Sequence, residues 1–110
     1  MAAFIPKRGD IVRLTLDPPS GSAQEEKRCV LVLSPAPYNA ATGLMLCCPV
    51  TSEIKGYPFE VALDDGKDGA ALADQVKSLD WRARKARKKG AASKAELALT
   101  LARIKPLLGF

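Results

Sequence analysis

The chain has no histidine among its 110 residues. The commonest neutral-pH acid/base and the commonest metal ligand are therefore both missing. That excludes histidine-based ribonucleases, serine proteases and zinc hydrolases. Cysteine is scarce and odd in number: Cys29, Cys47 and Cys48 show no CxxC spacing, and the last two are neighbours whose side chains point to opposite faces of a strand. The pattern argues against a disulfide scaffold and for buried small hydrophobes. No apolar run is long enough to span a bilayer, and Met1 to Arg8 lacks the apolar stretch of a signal peptide. A cytoplasmic location with no membrane partner is the expectation.

What is present fits one small globular domain over residues 1–110, since 47% of the residues are apolar and 26% charged. Seventeen Lys plus Arg against twelve Asp plus Glu leave a net charge of +5. That excess favours a polyanionic partner, though only weakly when taken alone.

In DIVRLTL, Asp10 to Leu16, Val12, Leu14 and Leu16 share one face and Arg13 and Thr15 the other, the period-two signature of a half-buried strand. DPPSGS followed by AQEEK makes a polar loop long enough to suggest a working segment. CVLVLS, Cys29 to Ser34, reads as a central strand stopped by Pro35 and Pro37, and LMLCCPV, Leu44 to Val50, follows the NAATG turn. Pro49 does not belong inside a ladder, so a bulge or edge position is expected there, fixing the direction of the Thr51 and Ser52 hydroxyls. YPFEVAL places Phe59, Val61 and Leu63 on one face, and DDGKDG is a polar turn before GAALADQVKSL. Short strands separated by turns point to a small β-barrel.

The last third differs. DWRARKARKK packs six basic residues between Arg82 and Lys89, and Ser93 with Glu96 forms a capping-box pattern. Leu97, Leu101, Ile104 and Leu108 then recur on one helical stripe, which Pro106 should end or kink near Ile104 or Lys105.

Four segments, taken in order and spacing, carry a family resemblance: GDIVRLTLDPPSGS (Gly9 to Ser22), KRCVLVLSPAPYN (Lys27 to Asn39), PVTSEIKGYPFEV (Pro49 to Val61) and ALADQVKSLDWRAR (Ala71 to Arg84). Through them the chain resembles the MazF/PemK mRNA interferase toxins of bacterial toxin–antitoxin modules. The resemblance implies a mainly β fold, an SH3-like small barrel with flanking helices and a C-terminal helix. It also implies a cytoplasmic homodimer that cuts single-stranded RNA, whether mRNA, tRNA or rRNA, without metal or cofactor. A cognate antitoxin whose acidic flexible segment lies over the RNA groove is part of the same implication.

Metal-free RNA cleavage uses the ribose 2′-OH as nucleophile and leaves a 2′,3′-cyclic phosphate and a 5′-OH; DNA lacks the nucleophile. Arg28 matches the family's arginine after the first loop, and its guanidinium fork suits phosphorane charge better than proton transfer. An ion pair with Glu25 or Glu26 is the plainer reading of the same residue. Thr51 matches the family's active-site threonine, with Ser52 able to assist, although a Thr-Ser pair also serves strand propensity. Asp74 and Gln75 lie where the family keeps a polar pair near the groove. Leu72, two positions before Asp74, stands where PemK-like members have arginine, which aligns the chain with the MazF-like branch. Lys55, Lys77, Arg82 and Arg84 are candidates for RNA-backbone contacts. The basic run through Lys89 otherwise reads as a solvated face, and Trp81 as core or as a base-stacking platform. Ala23, where relatives carry an acidic residue, and Cys29, where proline is usual, are departures that bear on substrate preference. The alternatives are a gyrase-poisoning toxin of the CcdB group and a catalytically inactive RNA-binding module.

Overall fold

A computed structural model describes residues 4–16, 26–63 and 69–110. The loop with Ala23 and Glu25 lies outside them, so the departure at Ala23 has no structural account. In chain order the elements are β1 (Asp10–Leu16), β2 (Glu26–Val32), α1 (Ala36–Thr42), β3 (Leu44–Thr51), β4 (Glu60–Leu63), β5 (Gly69–Leu72), β6 (Lys77–Asp80), β7 (Arg87–Ala91) and α2 (Lys94–Ile104). A short 3-10 turn, Lys105–Leu108, follows α2. The sheet runs β4-β5-β3-β2-β1-β7, with β6 also on β3, all antiparallel, and curls into a half-barrel with the C-terminal helix against it. Among the described residues no helix is long and apolar enough to cross a membrane.

Strand alternation divides the buried residues between two cores, one on each side of the sheet. One contains Ile11, Leu31, Cys48, Val61, Leu63 and Ile104, with Leu97 and Leu101 of α2 packed on it. The other contains Val12, Leu14, Val30, Val32, Met45, Cys47 and Trp81, closed by Phe4, Leu79 and Ala86. Cys47 and Cys48 thus face opposite sides, as their adjacency requires, and all three cysteines are free thiols. Burial pushes both neighbouring thiols up to about 12. The start of β1 is more enclosed than a half-buried strand, because the α2 side also covers Ile11.

Two local readings change. β2 ends at Val32, two residues short of the expected Ser34, and Pro35 and Pro37 instead start α1: Pro35 is its N-cap and Pro37 lies in the first turn, where a missing N–H orphans nothing. NAATG is the end of this helix, closed by Gly43 at φ 73°, whose N–H donates to Asn39 O. In α2 the Ser93–Glu96 capping box forms reciprocally and the helix ends at Ile104. Leu108, however, leaves the stripe, because the chain tightens into the 3-10 turn and exposes it. The inward stripe instead includes the buried Thr100, whose hydroxyl donates to Glu96 O.

Pro49 sits where β3 changes partner. Leu44 to Cys47 pair with β6, and Val50 and Thr51 pair with β5. Cys48 and Pro49 fall between the two ladders, so a residue without an N–H leaves no bond unmade on that side. The expected irregularity is therefore a fork, and the turn between β5 and β6 leaves from it with Asp74 and Gln75.

The connection from β2 to β3 is tied by Asn39, which is fully buried. Its Nδ2 donates to Pro6 O (2.7 Å) and Ser34 O (3.0 Å), and its Oδ1 accepts from the Ser34 hydroxyl. Its backbone oxygen accepts from the Trp81 indole N–H at 3.0 Å. Asn39→Ala orphans several of these buried groups and is expected to cost about 2–4 kcal/mol in urea unfolding; a loss below half a kcal/mol, of the order of a surface change, contradicts this account. A second outcome concerns the thiols. Under native conditions a thiol reagent should modify half-buried Cys29 first and leave Cys47 and Cys48 protected until unfolding.

Candidate functional site

The antiparallel register between β2 and β3 runs from Val32↔Cys47 to Cys29↔Val50. Strand alternation continued by one residue puts Arg28 and Thr51 on the same face of the sheet. That face is the one that buries Val30 and Cys47, so the second core grades into a polar rim at this end. Arg28 is exposed and neighbours Leu14 across β1. The Thr51 hydroxyl oxygen accepts from Glu53 N at 3.0 Å, which fixes its orientation and leaves its proton to donate. Gly69 on β5 holds the strands close, since a Cβ there would stand 2.8 Å from Val50 Cγ1.

Beside Thr51 lies an open pocket of about 210 Å³ lined by Thr51, Glu53, Lys55, Tyr57, Glu60, Leu72 and Gln75. Its wall is a loop organised by one carboxylate. The backbone N–H groups of Lys55, Gly56 and Tyr57 all donate to Glu60, at 3.0 to 3.3 Å. Gly56 permits this wrapping by adopting φ 73°. The Tyr57 ring stands 6.2 Å from Phe59, and its hydroxyl donates to Asp74 Oδ2 at 2.8 Å. Asp74 Oδ1 is enclosed without a hydrogen-bond partner among the described residues.

Of the expected residues, Thr51, Lys55 and Gln75 line the pocket, and Asp74 joins it through Tyr57. Arg28 shares the face of Thr51 on the neighbouring strand but is not among the lining residues. Ser52 is exposed beyond the end of β3, and Lys77 is exposed on β6 opposite Cys47, outside the lining. Arg82 and Arg84 have structural contacts. Arg82 stacks over Trp81, 4.8 Å from the ring centroid, and its Nη2 donates to Ala40 O at 3.0 Å. Arg84 Nη1 donates to Thr15 O at 3.4 Å. Trp81 is core, 6% exposed, and does not offer a stacking face to a base. The residues not singled out beforehand are Glu53, Tyr57 and Glu60, of which the last two had a signal in the sequence. An exposed aromatic beside a glycine, followed three residues later by the sole acid in an apolar alternation, was the available signal.

The curled antiparallel sheet with a polar pocket beside the end of β3 defines a small β half-barrel domain, and comparison with known proteins specifies its family. Residues 7–108 match the model of the PemK-like, MazF-like toxin of type II toxin-antitoxin system family. The chain is 49% identical over 110 residues to the endoribonuclease toxin MazF of Escherichia coli K12, covering 99% of each protein. It superposes on MazF in a MazE–MazF crystal form from Deinococcus radiodurans with a TM-score of 0.93 and 46% identity, over 98% of this chain and 99% of that one. The free Deinococcus MazF gives a TM-score of 0.86 at 46% identity, over 98% and 100%. The chain belongs to the PemK/MazF toxin family.

The Tyr57–Asp74 bond is open to titration. The Asp74 carboxylate, first as hydrogen-bond acceptor and then as a nearby negative charge, raises the Tyr57 pKa above its ordinary value. The sign follows: the bond contributes below the unfolded-state pKa and is lost as pH rises through the folded one. Asp74→Asn should bring the Tyr57 titration, followed by ultraviolet absorbance against Tyr38, back down towards 10, the ordinary tyrosine value; an unmoved titration contradicts the assignment.

Proposed function

We propose that this chain, an endoribonuclease toxin by its family and its full-length similarity to MazF, cuts single-stranded RNA at short sequence motifs by attack of the ribose 2′-OH, without metal or cofactor. The products are a 2′,3′-cyclic phosphate and a 5′-OH. What supports the reading is that the alternation of the β2–β3 register puts Arg28 and Thr51 on one face of neighbouring strands, with Thr51 lining a polar pocket. Arg28 stabilises the charge that develops on the phosphorane, and its permanent charge needs no proton transfer to do so. Thr51, its hydroxyl held by Glu53 N, orients the scissile phosphate or the attacking oxygen.

In the same reading Ser52, Lys55, Asp74 and Gln75 hold the nucleotides next to the cut, and Lys77 contacts the backbone. Arg82 and Arg84 each use one nitrogen on a carbonyl and keep further N–H groups for phosphate. The protein acts in the cytoplasm as a homodimer and is silenced by a cognate antitoxin that lays an acidic, flexible segment over the groove. The match to MazF from MazE–MazF complexes supports that partnership.

Incubating the protein with a long natural RNA in EDTA should give discrete fragments bearing 5′-OH ends. Arg28→Ala and Thr51→Ala should each slow cleavage by about 10²-fold or more with unfolding midpoints close to the parent. Random degradation, chelator sensitivity, or full activity in either variant would sink the assignment.

A further inference from the structure

Away from the pocket, the β1–β7 pairing sets like charges against each other. Arg13 of β1 lies directly opposite Arg87 of β7. On its other side Arg13 is paired with Cys29 of β2, and the ammonium of Lys89 reaches Cys29 Sγ at 3.9 Å. Three exposed cations therefore share one side of the sheet: Arg13 and Lys89 beside the half-buried Cys29, and Arg87 one strand further out, opposite Arg13. Lys88, between the last two, has a different environment: it pairs with the buried Asp10 carboxylate at 3.6 Å. No carboxylate whose side chain is described forms an ion pair with Arg13, Arg87 or Lys89.

Like charges directly opposite on neighbouring strands destabilise a sheet. Charge on the edge strand β7 has one evident use, since it discourages edge-to-edge association. That use accounts for Arg87 and Lys89 but not for Arg13, which lies on the interior strand β1. The register makes Arg13 and Arg87 cross-strand neighbours, with Lys89 brought to the same side through Cys29, a grouping of fixed cations that suits a chain of closely spaced anions.

We propose that Arg13, Arg87 and Lys89 form a second RNA-backbone site, distinct from the cleavage pocket, that holds phosphates of the substrate outside the cut motif. The proposal rests on the nuclease reading above and extends it. Cys29 is adjacent in sequence to Arg28 but faces the other side of the sheet, with the first core. A strand bound at the cleavage site reaches this patch only when it extends well beyond the scissile phosphate. An RNA backbone presents the same charge at every step and does so on either side of the cut. The patch thus adds affinity for long RNA without reading its sequence.

The test uses the full chain with Arg13→Gln, Arg87→Gln and Lys89→Gln combined. Binding of a long natural RNA is measured across a salt series, and kcat/KM is measured on the shortest oligonucleotide that the parent cuts. The expected result is a loss of about tenfold in long-RNA affinity and a salt slope shallower by about 2, from roughly 0.7 per phosphate contact. The short-substrate kcat/KM should stay at the parent value. Unchanged long-RNA affinity and slope overturn the proposal, as does an equal loss on long and short substrates. Weakened binding of an acidic antitoxin segment with RNA binding intact also overturns it and assigns the patch to the protein partner. If the parent cuts no RNA, the nuclease reading fails by itself, while the salt series on long RNA still decides the patch.

Discussion

The Asn39 side chain is the constraint on which the site depends, although it stands at the opposite ends of β2 and β3 from the site. It is fully buried, and it bonds the N-terminal segment at Pro6, the connection after β2 at Ser34 and, through its backbone oxygen, the indole of Trp81. Those bonds fix how α1 carries the chain from β2 back into β3. The Ser34 hydroxyl completes the connection by accepting from Leu46 N at 2.8 Å. The crossover sets the strand register, and a slip of one residue would turn every side chain of β3 to the other face. With the observed register, Cys47 and Cys48 fit their separate cores and Thr51 faces the same side as Arg28.

The pocket wall is built by the same means on a smaller scale. A short irregular segment has no ladder of its own, so its backbone groups need partners from elsewhere. Glu60 supplies an acceptor for three successive N–H groups, and Tyr57 then reaches Asp74 across the space opened by the fork at Pro49. The acids near the pocket therefore have a structural duty. In a site whose ligand is anionic, a carboxylate neutralised by backbone N–H groups repels less than a free one.

The basic residues divide by the same test of what each one touches. Lys88 is matched to a buried carboxylate, Arg82 and Arg84 brace the turn after β6 against α1 and β1, and Arg13, Arg87 and Lys89 gather on the Cys29 side of β1 and β7. A net charge of +5 gives no hint of this division. Arg82 and Arg84 lie two residues apart in a run that reads as uniformly solvent-exposed, yet each donates to a carbonyl from a different part of the chain.

By itself the sequence determined whatever depends on neighbours within a few residues. The alternation of β1 and of Phe59, Val61 and Leu63, the opposed burial of Cys47 and Cys48, the capping box at Ser93 and the helix end before Pro106 are all local consequences of backbone period and capping chemistry. The identity of the candidate site was legible only through the resemblance carried by four segments, not through the periodicity of any one of them. Tertiary structure alone decided that the proline-rich stretch after β2 starts a helix, that Leu108 turns outward, and that β3 exchanges β6 for β5 at Pro49. It also decided that Glu60 and Tyr57 build the pocket wall. The physical reason is common to these cases: each depends on a hydrogen-bond partner or a packing surface supplied by residues distant in sequence, and a side chain's local preference does not specify that partner.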